Sequence, residues 1–191
     1  MKRLIFLGIA ILPFTLSAAQ YFGIDAGINH LELTNESDSG LKVGMRAGAK
    51  WGYIFDSGLR GEVELAYRIN HFKTRYVLAS EDQLKSKSYR SMHSWSYMIN
   101  VLYDVKQLQV ASVIPYVGLG IGYAQNTEKL KFKGDATHET KERDNRFAYQ
   151  AIIGAKYPIN DTLSAGLEYH YFCGQSHAKD HSVGMTLVRT F

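Results

Sequence analysis

Ser91 and His93 stand two residues apart in SYRSMHSWSY, and in an extended chain that spacing puts both side chains on one face. A hydroxyl beside an imidazole is the minimum of a nucleophile and its base. His30, His71 and His181 share the phase of His93, so several imidazoles collect at one level. His177 and His181 are four apart, a spacing that suits a metal on a helix but not in the hairpin loop their neighbours predict. A second group mixes signs: Arg46, Arg60, Glu62, Glu64, Arg68 and Glu168 alternate with apolar residues, as do Asp25, Lys42, Lys50 and His170. Charges so placed either pair structurally or carry protons or small ions. A third is a basic run, Lys73, Arg75, Lys85, Lys87 and Arg90, set against Glu81 and Asp82. Its chemistry is attraction to an acidic polymer or a phosphorylated surface. Cys173 is alone and forms no internal disulfide. None of this spells a cofactor or metal motif, and neither is expected.

What positions these residues is an alternation. In LKVGMRAGAKWGYIF, Leu41, Val43, Met45, Ala47, Ala49, Trp51 and Tyr53 occupy every second place, with Lys, Arg and Gly between. Period two means a strand with unlike faces. Seven further segments repeat the pattern. Their apolar faces carry Ile24 and Ile28; Val63, Leu65 and Tyr67; Trp95, Tyr97 and Ile99; Leu119, Ile121 and Tyr123; Tyr149 and Ile153; Leu167 and Tyr169; Met185 and Leu187. Tight turns at Asp56-Ser57-Gly58 and Asn160-Asp161, and a somewhat longer one from Val105 to Val113, alternate with longer polar loops. Those loops are Thr34 to Gly40, Lys73 to Tyr89, Asn126 to Arg143 and Gly174 to Asp180.

The aromatics decide what the apolar face meets. If the first strand rises, Phe22, Trp51, Tyr53, Tyr103, Tyr157 and Phe191 form a lower band. Tyr67, Trp95, Tyr97, Tyr123, Tyr149, Tyr169 and Tyr171 form an upper one, with aliphatic residues between. Two aromatic girdles around an aliphatic belt match a bilayer. The mean hydropathy of −0.20 reads as soluble, but alternating strands average to such values. At the start, Lys2 and Arg3, the apolar stretch Leu4 to Leu16 and Ser17-Ala18-Ala19 have the form of a secretory leader. Elsewhere no run approaches the roughly 18 apolar residues of a membrane helix. The expected fold is all-β: a transmembrane, eight-stranded, antiparallel up-and-down barrel over 20–191, after a cleaved signal peptide over 1–19. An eight-stranded barrel is just wide enough inside for side chains to fill. Arg46, Arg60, Glu62, Glu64, Arg68 and Glu168 are therefore expected to pair as an interior ion network, the three arginines against the three glutamates.

PYVGLGIGYA (Pro115 to Ala124), SYMINVLYDV (Ser96 to Val105), FAYQAIIGAKYPI (Phe147 to Ile159) and GLEYHYF (Gly166 to Phe172) resemble the eight-stranded outer-membrane barrel family. That family holds the opacity-like proteins, the transmembrane domain of OmpA and surface proteins of some intracellular bacteria. One departure is Arg189, two before Phe191, where the family carries an apolar or aromatic residue; a rim arginine can snorkel to lipid phosphates. The resemblance implies the outer membrane of a diderm, Gram-negative bacterium and a monomeric, non-enzymatic, adhesin-like surface protein. Its partners would be the membrane, lipopolysaccharide and a host or matrix molecule reached through the loops, chiefly Lys73, Arg75, Lys85, Lys87 and Arg90. Without Lys2 and Arg3 there remain 20 basic against 18 acidic side chains, too even a balance for nucleic acid. Two rival classes stay open. One is an enzyme modifying lipid A at Ser91 and His93, although the His-x-Ser-Asn pattern of lipid A deacylases is absent. The other is a narrow ion pore through the interior.

Overall fold

The computed structural model describes residues 18–33, 43–71, 75–77, 86–133, 139–175 and 178–191. Eight long strands follow one another: β1 (Ala18–Leu33), β2 (Val43–Phe55), β3 (Leu59–His71), β4 (Ser86–Asp104), β5 (Ile114–Lys133), β6 (Glu139–Pro158), β7 (Leu163–Gln175) and β8 (Ala178–Thr190). Each pairs antiparallel with the next, and β1 also pairs with β8, so the sheet closes on itself. The protein is a closed eight-stranded all-β barrel. A three-residue strand, Arg75–Val77, adds to the outer part of β4. Residues 1–17 of the expected leader lie outside the described residues; Ala18 and Ala19 open β1, paired with Phe55 and Ile54.

The polarity is inverted relative to a water-soluble domain. Ile24, Met45, Ile99, Leu119, Ile121, Ile153 and Met185 are half or more exposed, while Asp25, Arg46, Lys50, Glu64, Arg68 and Glu168 are buried. All eight strands keep the phase their alternation predicts. Register brings like to like across the outer wall: Phe22 faces Trp51, Tyr67 faces Trp95, and Ile99 faces Ile121. Arg189, the departure noted above, lies with its guanidinium 5.3 Å from the centre of the Phe191 ring.

At one end the connections are tight. Gly58 takes φ +85, a conformation costly for a side chain, and donates to Phe55 O at 2.9 Å. Asn160 Oδ1 accepts from the backbone of Thr162 and Leu163, turning the chain from β6 into β7. At the other end two expected loops prove to be largely strand. β5 and β6 pair out to Lys131 and Glu139, so most of Asn126 to Arg143 is a ladder. β7 and β8 pair out to Gln175 and Ala178 across a bulge, which absorbs most of Gly174 to Asp180. Polarity had marked these segments as loops, but a strand that has left the lipid needs no apolar face.

The outward belt yields the first prediction. Leu65→Arg or Ile121→Arg, both mid-belt, should cost about 2–4 kcal/mol of folding free energy in a bilayer, against about 0–1 for the same change at the rim. Equal tolerance at the two levels, read from denaturant titration in lipid vesicles, would exclude lipid contact for this face.

Candidate functional site

Side chains fill the lumen, and Arg46 sits at its centre. Its guanidinium bonds Asp25 on β1 and, at 2.5 Å, Glu64 on β3. Asn100 donates to both Glu62 and Glu64 at 2.9 Å, and Gln150 donates to Glu64 at 2.8 Å. Tyr21 donates to Glu62 at 2.5 Å. Lys50 reaches across the lumen to Glu168 at 2.5 Å, which also accepts from Tyr116 at 2.7 Å and lies 3.1 Å from His170 Nε2. Gly154 leaves the space that the Tyr116 ring occupies, and Gly120 the space beside Asn100. Such contacts offset the several kcal/mol that each ion loses on leaving water.

The partners differ from the expected matching of three arginines with three glutamates. Only Arg46 meets a member of that set. Arg60 pairs with Asp104 at 3.0 Å, and Arg68 lies 3.7 Å from Asp180, donates to Ser96 at 2.7 Å and covers the Phe172 ring at 3.8 Å. Glu168 takes Lys50 instead of an arginine. The reason is strand length. β4 runs to Asp104 and β8 begins before Asp180, so both aspartates fall on the inward phase and compete at closer range.

The outer wall at the upper rim carries the Ser91–His93 pair. Ser91 Oγ lies 3.4 Å from His93 Nε2, and the Tyr67 hydroxyl lies 2.5 Å from His93 Nδ1. The same arrangement recurs at His181, with Tyr169 at 2.6 Å on Nδ1 and Glu32 3.5 Å from Nε2; Ser182, next in the chain, points into the barrel. Both histidines pack against aromatic rings of the girdle. His30 faces His181 across β1 and β8, and His71 is in register with Ser91. His177 lies outside the described residues. At both His93 and His181 a tyrosine hydroxyl on Nδ1 fixes the plane of the imidazole.

Of the expected surface run, Lys73 and Lys85 lie outside the described residues. Arg75 is paired with Ser88, and Lys87 and Arg90 sit on β4. The register shows what they join. Lys87 faces Lys133, Tyr89 faces Lys131, and Ser91 faces Lys129, which in turn faces Lys141; one rung closer to the girdle His93, Thr127 and Arg143 align. All these positions continue the outward phase of Tyr97, Tyr123 and Phe147. Above the girdle, therefore, the register aligns the positions of Lys87, Lys129, Lys131, Lys133, Lys141 and Arg143, with Glu139 among them, on the same strand phase. The opposite phase there carries the positions of Arg90, Glu128, Glu142 and Asp144. Reading the segment as a loop missed the three β5 lysines, although EKLKFK places them at period two, the signal that marks every other strand here.

The interior supplies the second prediction. Arg46→Met leaves two buried carboxylates without their cation and should cost about 3–5 kcal/mol. Arg146→Met, which breaks an exposed pair with Asp144, should cost about 0–1. Urea midpoints of the barrel refolded in lipid measure both.

Similarity to known proteins agrees with this geometry. Residues 4–191 match the family model described as outer membrane protein beta-barrel domain. An outer membrane protein of Gluconacetobacter diazotrophicus is 35% identical over 128 residues, which cover 63% of this chain and 32% of that protein, so the chain spans about a third of this relative's length. Among solved structures, Neisserial surface protein A superposes with a TM-score of 0.62 at 16% identity, over 91% of this chain and 99% of the other. Ail, the attachment invasion locus protein of Yersinia pestis, in complex with the heparin analogue sucrose octasulfate, gives 0.57 at 14% identity over 91% and 99%. The chain belongs to the outer-membrane β-barrel protein family, and its strands cross the outer membrane of a Gram-negative bacterium.

Proposed function

We propose that this protein is a non-enzymatic surface protein whose barrel is an anchor and whose outward basic face holds a polyanion. The observation that carries the reading is the row Lys129, Lys131 and Lys133 on β5, flanked by Lys87 and Lys141, above the upper girdle. Strands of 20 residues are about twice what crossing a bilayer requires, so β5 and β6 carry these charges clear of the lipid. At that height the partners within reach are phosphorylated lipopolysaccharide, or an acidic matrix or host polymer. In the Ail structure a heparin analogue, sucrose octasulfate, is bound; a polysulfated sugar is the class of polyanion this face would take. Residues 1–19 act as the export leader in this reading, and mass spectrometry of the membrane-extracted protein should find Gln20 at its N-terminus.

The rival is a lipid-modifying enzyme, favoured by the 3.4 Å contact between Ser91 and His93. The mass spectrum of lipid A from cells with and without the protein should be identical; a lost or gained acyl chain that Ser91→Ala abolishes would replace the binding role by this one.

Charge reversal tests the main proposal. A basic residue near an anionic surface contributes about 1 kcal/mol, so Lys129→Glu, Lys131→Glu and Lys133→Glu together should weaken binding to immobilised heparin or lipopolysaccharide about a hundredfold at low salt. The difference should shrink toward nothing near 1 M salt, where the screening length is about 3 Å. Unchanged low-salt binding by a folded triple variant would move the contact away from this face.

A further inference from the structure

The outer wall is not evenly convex. Between two rungs of outward side chains it carries a groove of about 660 Å³ that runs from β1 to β5. One bank is the rung Phe22, Trp51, Val63 and Ile99, each in register with the next. The other is Leu65, Tyr97 and Tyr123, and beside Leu65 the half-buried Ala49 is too small to project. The Trp51 ring stands edge-on to Tyr53 at 5.4 Å, which steadies its bank. Lys50 and Glu64 also border the groove, but their side chains are buried on the lumen side and are paired there. Phe22 and Trp51 belong to the lower aromatic band and Tyr97 and Tyr123 to the upper, so the groove climbs obliquely across the belt. Its interstrand steps of about 4.8 Å from β1 to β5 make it about 19 Å long. Half of a hydrocarbon core of about 30 Å is about 15 Å. One acyl chain of a single leaflet, inclined along the groove, fits that length.

At the lower end the same rung continues into a cation. Phe22 is in register with Arg189 on β8, so the row reads Arg189, Phe22, Trp51, Val63. Arg189 is exposed, lies over the Phe191 ring and makes no ion pair among the described residues. Hydrocarbon gains little by leaving lipid for an apolar groove, so shape alone would not retain one lipid over its neighbours. A guanidinium at one end adds the discrimination, because its fork matches a phosphate in geometry and charge. We propose that the groove and Arg189 together bind one glycerophospholipid of the inner leaflet, its phosphate on Arg189 and one acyl chain along the groove. Arg189 fixes the leaflet. It is in register with Leu163, the first residue after the Asn160-Asp161 turn, and short turns of such barrels face the periplasm. A chain of lipid A would enter from the Tyr97 end and leave Arg189 idle.

The experiment uses the whole barrel refolded in detergent micelles, mixed with dipalmitoyl phosphatidylethanolamine and weighed by native mass spectrometry. One lipid should stay bound per barrel. Dipalmitoylglycerol, which has the same chains and no phosphate, should be retained at least about tenfold less, as expected for loss of a charged hydrogen bond. Arg189→Gln should lower phospholipid retention by the same factor and leave the diacylglycerol unchanged. Ala49→Trp fills the groove without touching Arg189 and should abolish retention of both lipids. Ala155→Trp, on the outward phase of β6 between Pro115 and Leu167 and away from the groove, should change neither. Equal retention of the two lipids, undiminished binding to folded Ala49→Trp, or an equal loss in Ala155→Trp would each overturn the proposal. Lipid A retained in place of the phospholipid, and indifferent to Arg189→Gln, would overturn it in favour of a chain from the outer leaflet.

Discussion

Lipid offers the backbone no hydrogen-bond partner, and the architecture follows from that one constraint. A sheet crossing hydrocarbon must satisfy every N–H and C=O within itself, which an open edge cannot do. The ladder between β1 and β8 removes the edge. Closing after eight strands leaves a lumen only as wide as the side chains inside it. The same closure that satisfies the backbone thus forces the inward residues into contact, and alternation makes those residues the polar ones.

Once the inward set is polar it has to be internally complete. Glu64 meets Arg46, Asn100 and Gln150, and Glu168 meets Lys50, Tyr116 and His170. Strands distant in sequence are joined this way, β2 to β7 through Lys50 and Glu168. Glycines on the inward phase give the long side chains their room, as Gly154 does for Tyr116. The outer wall needs no such matching, because lipid accepts any apolar shape. Specific packing therefore lies inside and generic packing outside, the reverse of the demands that water makes.

This asymmetry explains what could be read from the amino-acid sequence. Strand number, phase and the aromatic girdles were legible because period two is local and the bilayer selects it in every strand. Individual charge pairs were not. Lys50 stands in register with Glu64 but bonds Glu168, and that choice depends on how far each chain reaches across the lumen. Asp104 could have been found by extending the phase of Tyr103 one residue; Asp180 was hidden by the polarity of its neighbours. The row of basic positions above the girdle was half legible: Lys87 stood out in a charge run, whereas Lys129, Lys131 and Lys133 were discounted as loop.

Alternation also matters before the barrel exists. A chain bound for the outer membrane has to pass an inner one, where any long apolar stretch would be held as a helix. In β2 each outward residue from Val43 to Trp51 is followed by Lys, Arg or Gly, and the mean hydropathy of the whole chain is −0.20. Among the described residues no helix is long and apolar enough to cross a membrane. The hydrophobicity that will face lipid is thus divided into single side chains that the translocation machinery does not recognise as a stop signal. It becomes a continuous surface only when the strands align, so the chain stays transportable until folding makes it insoluble in water.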